Sequence, residues 1–189
     1  MNVNFINFCR KGNMNDIIDY INMNKINIHD EIEAGFNVAC AHGHIQIVEY
    51  LINLHKIRQS RDPTYSKINI HVYDEEGFRW ACVNGYVQIV KYLINLHRIQ
   101  PTYGKINIHI HNEYGFRWAC YGGHMHIIKY LINLYKIQHN QNPTYTKINI
   151  YAYYKFVLKR ISINGHNHIV KYLLSCGCYS NNYTYIIIL

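Results

Sequence analysis

A glycine-centred phrase recurs along this chain at near-constant intervals, and that recurrence constrains the fold more than any other feature. Aligned on Gly43, Gly85, Gly123 and Gly165, the segments read EAGFNVACAHGHIQIVEYLINLH, EEGFRWACVNGYVQIVKYLINLH, EYGFRWACYGGHMHIIKYLINLY and YYKFVLKRISINGHNHIVKYLLSCG, with Lys155-Phe156 set in the Gly-Phe slot of the last. The glycines stand 42, 38 and 42 residues apart, and a shorter copy, FINFCRKGNMNDIIDYINMN, puts Gly12 31 residues before Gly43. Five units thus cover nearly all 189 residues. Such periods indicate stacked supersecondary units, each unable to bury its apolar face alone.

Each unit reads as two helices. In the third, a short helix spans about residues 78–83 and stops at Gly85, where glycine relieves the left-handed turn of a helix end. The second spans about residues 87–97. Its apolar stripe of Val87, Ile89, Val90, Leu93, Ile94 and Leu96 is too wide for one contact face and suits a helix gripped on two sides. A second phrase follows: PTYSKINIH from Pro63, PTYGKINIH from Pro101 and PTYTKINIY from Pro143, which together hold all three prolines. Proline cannot continue a helix, and Lys-Ile-Asn-Ile alternates polar and apolar, so this phrase reads as an extended joint with one buried face. A phosphotyrosine signal at Tyr65, Tyr103 or Tyr145 is the competing reading. The acidic turn Asp74-Glu75-Glu76-Gly77 leads into the next unit.

The pattern resembles the ankyrin repeat. Ala81-Cys82, Gly85, Ile89-Val90 and Leu93-Ile94 match the family's Ala-Ala, Gly, Ile-Val and Leu-Leu positions, and His44, His124 and His166 match its His after Gly. The chain departs from the family in its Thr-Pro-Leu-His slots, which read Glu76-Gly77-Phe78-Arg79 and Tyr114-Gly115-Phe116-Arg117. Its units also exceed the usual ~33 residues, and the fifth is degraded at Lys159-Arg160. In style it is similar to the divergent ankyrin proteins of giant DNA viruses of amoebae. The resemblance implies an all-α, ankyrin-type helix-pair solenoid with β-turn and extended connections. Residues 1–29 form a capping repeat, 30–71, 72–109 and 110–151 three full repeats, and 152–189 a degraded repeat with an apolar tail. Trp80 and Trp118 fall in the family's buried Leu slot and are expected in the core.

Charge is unevenly spread. Residues 1–76 carry seven Lys and Arg against ten Asp and Glu, while residues 77–189 carry twelve against Glu113 alone. Such asymmetry can mark an acidic partner for one end. The abundance of Ile, Asn and Tyr follows from AT-rich codons. No run approaches the roughly 18 apolar residues of a membrane span, and the N-terminus has no secretory pattern, so an intracellular, non-secreted protein without a membrane partner is expected.

Candidate chemistry dissolves into the repeat. Cys9, Cys40, Cys82 and Cys120 each precede the aligned glycine by three residues, so they are one structural position. Packed helices lie roughly 10 Å apart, beyond the ~7 Å between disulfide Cα atoms. The histidine pairs His42/His44, His109/His111, His124/His126 and His166/His168 have i,i+2 spacing, which diverges on a helix. No metal, cofactor or catalytic residue is assigned.

The resemblance implies a non-catalytic protein that binds another protein through turn tips and first helices. Carrying the family's variable slots onto this sequence gives Asp30, Glu31, Glu33, Asn37 and His42; then Tyr73, Glu75, Arg79 and Asn84; then His111, Glu113, Arg117 and Tyr121. The groove then carries mixed signs, which argues against phosphate tracking. The alternatives are a polyanion or nucleic-acid binder using the basic C-terminal half, or a component that assembles into oligomers through the tail at residues 183–189.

Overall fold

The computed structural model describes residues 3–23, 29–59, 67–141 and 154–176, and within them forms ten α-helices, one 3-10 turn and no strand. The helices come in pairs: α1 (Val3–Lys11) with α2 (Met14–Met23), α3 (His29–His42) with α4 (Ile45–Gln59), and α5 (Val72–Val83) with α6 (Val87–Ile99). The remaining pairs are α7 (Ile110–Tyr121) with α8 (Met125–Gln141), and α9 (Tyr154–Ile163) with α10 (Asn167–Ser175). The chain divides into two compact units, Met1–Asn107 and Ile108–Leu189. In the first, α3 packs between α1 and α5; in the second, α7 packs on α9. This is the expected all-α architecture of helix-pair repeats.

The aligned glycines end every first helix in the same way. The N–H of Tyr86 bonds back to the Ala81 carbonyl at 2.9 Å, with Gly85 between at φ +83. That is a Schellman stop, and Asn13, His44, His124 and His166 make the same five-residue step back. At three of these stops, Gly12, Gly43 and Gly123, the ring of the following repeat packs on the glycine. A Cβ on Gly12 would lie 2.7 Å from the His44 ring, and one on Gly123 the same distance from His166. His44 Nε2 also bonds the Arg10 carbonyl at 2.9 Å. At Gly12, Gly43 and Gly123 the repeated glycine therefore serves both a backbone conformation and a close approach between successive repeats.

The core follows i, i+3, i+4 spacing on first helices: Phe36, Ala39 and Cys40, then Phe78, Ala81 and Cys82, then Phe116, Ala119 and Cys120, all buried. Each buried Phe contributes about 2–3 kcal/mol of transfer free energy. Phe36 and Cys40 fill the space over Gly77, where a Cβ would meet the Phe36 ring at 2.8 Å. On α6, Ile89, Val90, Leu93, Ile94 and Leu96 are all buried, as a two-sided grip requires.

Two sequence expectations need correction. Trp80 is 42% exposed, because Phe78 and Ala81 already set the buried stripe of α5 and leave residue 80 beside it; Trp118 is likewise half-buried. In α9 the buried residues are Val157, Leu158 and Ile161, whose distances to Gly165 equal those of Gly115, Phe116 and Ala119 to Gly123. The in-register partners of Gly115-Phe116 are thus Val157-Leu158, not Lys155-Phe156. Among the described cysteines no disulfide forms, and Cys9, Cys40, Cys82 and Cys120 are buried. Burial pushes the Cys9 thiol up to about 12 and those of Cys40 and Cys82 well above the ordinary thiol value.

Candidate partner-binding surface

The joint between repeats is a built structure. Pro101–Tyr103 forms the 3-10 turn, and the buried Tyr103 hydroxyl donates to the Ile52 carbonyl at 2.7 Å. Tyr103 is therefore a structural anchor, while Tyr65 and Tyr145 lie outside the described residues. Beyond it Ile106 and Ile108 are buried and Lys105 and Asn107 exposed, the alternation of an extended segment with one face inward.

From there the chain enters a left-handed turn. Tyr73, Asp74 and Glu75 have φ of 50, 56 and 61, and His111, Asn112 and Glu113 repeat it at 49, 54 and 63. Non-glycine residues resist this conformation by roughly 1–2 kcal/mol each, so something must hold it. Arg79 donates from Nε to the Asp74 carbonyl at 2.8 Å and from a terminal nitrogen to the Tyr73 carbonyl at 2.8 Å. Arg117 does the same to Asn112 and His111, at 2.8 and 3.1 Å. In the second repeat this slot is Asn37, whose amide is too short to reach back, and α3 shows no positive φ.

The carboxylate at the end of the turn closes it from the other side. Glu75, 5% exposed, takes His71 Nδ1 at 2.9 Å and the Asn107 N–H at 3.0 Å. The other His71 nitrogen, Nε2, meets the Tyr103 carbonyl at 2.5 Å. A ring facing an acceptor at both nitrogens donates to both only as imidazolium. Burial opposes that charge, but the Tyr103 carbonyl and the Glu75 carboxylate outweigh both burial and the nearby Lys67, and the His71 pKa is raised. Glu113, 4% exposed, takes His109 Nδ1 at 2.8 Å, and Glu33 accepts the Asn69 N–H at 2.6 Å. This lock was legible in the sequence and missed: Lys-Ile-Asn-Ile-His followed by Glu four residues after the His occurs at His29/Glu33, His71/Glu75 and His109/Glu113.

These contacts sort the thirteen residues expected at a partner surface. Tyr73 is 69% exposed, and His42, Asn84 and His111 are exposed. Arg79 and Arg117 are half-buried and bonded to their turns, Glu31 accepts the Tyr20 hydroxyl at 2.9 Å, and Glu33 is half-buried at its joint. Asn84 also donates to the Ala41 carbonyl at 2.8 Å. Asn37, Glu75, Glu113 and Tyr121 are buried, Asn37 donating to Glu76 at 2.9 Å. Their side chains are turned away from solvent. The side chain of Asp30 lies outside the described residues. The exposed Trp80, missing from that set, sits beside Glu76, with Nε1 3.4 Å from its carboxylate. Among the described residues no His, Cys, Asp and Glu cluster could hold a metal, and no helix there is long and apolar enough to cross a membrane.

Comparison with known proteins agrees with this geometry. Residues 80–184, more than half of the chain, match the family model for ankyrin repeats in three copies. No curated protein and no solved structure matched the chain. Glycine-stopped helix pairs stacked within each unit, carrying that family's signature, place the sequence: the chain belongs to the ankyrin-repeat family.

Proposed function

We propose that the protein is a non-catalytic interaction module that binds a protein partner through its turn tips and first helices. Ankyrin repeats generally mediate protein–protein interaction, and ankyrin-repeat proteins are generally non-catalytic scaffolds. The observation that carries the choice of surface is the exposure of Tyr73, at 69%, and Trp80, at 42%, in the third repeat. Large aromatic side chains dominate interface energetics, and these two project from the turn and first helix while Phe78, Ala81 and Cys82 fill the core. His42, Asn84 and His111 extend the contact set. Arg79 and Arg117 shape the tips from below. We read the chain, on its resemblance to divergent viral ankyrin proteins, as a viral protein that engages a host factor.

The test is site-directed photocrosslinking in a host lysate, with the reactive residue at position 73 or 80 on the proposed surface and at position 88 or 91 on α6. One partner captured at 73 and 80 but not at 88 or 91, whose purified form binds Tyr73→Ala/Trp80→Ala at least tenfold more weakly, supports the reading. Capture from the α6 positions alone would move the interface elsewhere.

A further inference from the structure

The fifth repeat departs from the repeat pattern at one place in its first helix, and the departure has a chemical direction. In register, Lys159 and Arg160 occupy the slots of Arg117 and Trp118. Both are exposed, and α9 packs directly on α7. The Arg160 guanidinium lies 5.9 Å from the centre of the Tyr121 ring. Burial raises the Tyr121 phenol's pKa, while the charges of Arg117 and Arg160 both pull it down. Two guanidinium groups therefore converge on one phenol. Next to it, Trp118 meets Tyr121 edge-on at 5.4 Å and Tyr114 packs on Trp118 at 5.7 Å, with Tyr114 and Trp118 half-buried.

The charge of this part of the chain has one sign. From residue 108 onward the sequence holds eight Lys and Arg and a single acid, Glu113. That acid is 4% exposed and faces His109 Nδ1 at 2.8 Å, so it does not offset the surface. The mixed-sign groove expected from the sequence is thus absent from this unit: its one carboxylate is turned inward. A surface tuned only for solubility intersperses both signs. Here Lys129, Lys159, Arg160 and Lys171 are exposed with no acidic side chain among the unit's surface residues.

We propose that the first-helix face of residues 108–176, built on Arg117, Lys159, Arg160, Tyr114 and Trp118, binds single-stranded nucleic acid. Spread cations follow a phosphate backbone, and part-exposed rings beside guanidinium groups accept stacked bases. An acidic protein segment would use the cations and leave the rings unexplained. This goes beyond the protein-binding reading and is separable from it, because Tyr73 and Trp80 belong to the other unit.

The test uses the full chain and a fluorescein-labelled 20-nucleotide single-stranded oligomer, followed by anisotropy. For about three neutralised phosphates, affinity falls roughly 20-fold between 50 and 200 mM salt. Lys159→Gln/Arg160→Gln, at exposed positions, should weaken binding about tenfold and flatten the salt slope, with melting unchanged. In a Trp80→Phe background, binding should quench Trp118 emission. No binding at 50 mM salt, an unaltered Lys159→Gln/Arg160→Gln variant, or loss confined to Lys129→Gln/Lys171→Gln would overturn the proposal. So would displacement of the oligomer by poly-glutamate of equal charge, which would point to an acidic protein partner.

Discussion

His71→Ala isolates the lock between the third repeat and its joint. The substitution removes the ring's contacts with Glu75 at 2.9 Å and with the Tyr103 carbonyl at 2.5 Å. It leaves a carboxylate that is 5% exposed with the Asn107 N–H still donating to it. Hydrogen bonds to charged groups contribute about 1.5–3 kcal/mol each. The His71 side chain is 33% exposed, so solvent screening discounts the pair to about 2–3 kcal/mol in total at pH 6. The cost depends on pH with a definite sign. The folded-state pKa of His71 is raised, so its contribution is complete below the unfolded value of about 6.5 and is lost as pH rises through the folded value. A neutral ring keeps one N–H for two acceptors, and the cost of His71→Ala should shrink by about 1 kcal/mol between pH 6 and pH 9. Urea unfolding followed by Trp80 fluorescence, in a Trp118→Phe background, reads this unit. At the usual slope of about 1–3 kcal/mol per molar urea, the pH 6 midpoint falls by about 1 M. A cost that is flat or grows from pH 6 to pH 9 would refute the imidazolium lock.

Asp74→Gly should stabilise the protein by about 0.5–1 kcal/mol, because glycine adopts the φ of 56 found there without the Cβ penalty; a loss of stability in urea titration would contradict the left-handed turn. Gly43→Ala should cost at least about 2 kcal/mol, since its Cβ would enter the Tyr86 ring. Gly165→Ala, with nothing within 4 Å, should cost only the φ penalty of about 1 kcal/mol; equal midpoints for the two variants would remove the ring-on-glycine contact. Native Cys9, Cys40 and Cys82 should resist a thiol reagent at pH 8 and react in denaturant, as peptide mapping would show; rapid native labelling of any of them would contradict their burial.

The repeat architecture was legible because its signals are backbone rules. Glycine at a helix stop, proline after a helix and the alternation in Lys-Ile-Asn-Ile each limit the chain locally, and their period alone located the helix pairs. The joint was legible for the same reason. The surface was less so, since exposure depends on what packs opposite. Trp80 looked like core by analogy, and only the placement of Phe78 and Ala81 shows that the buried stripe is already full. Glu75 and Glu113 look like exposed tip charges in sequence. They point inward because the left-handed turn reverses the chain, and nothing in a run such as Val72-Tyr73-Asp74-Glu75 announces that hand. The pairing of each with the His four residues earlier was the available clue.

Stacking of a repeat's ring on the glycine of the repeat before it, at Gly12, Gly43 and Gly123, is the contact on which the account stands. A nuclear Overhauser spectrum of the labelled protein tests it, through the His44 ring and Gly12 Hα, and through the Tyr86 ring and Gly43 Hα. Strong cross-peaks for both pairs are predicted, since a Cβ on Gly12 would lie within 2.7 Å of the His44 ring. Assigned spectra lacking both contacts, or showing those rings against other parts of the chain, would contradict the stacked-repeat account.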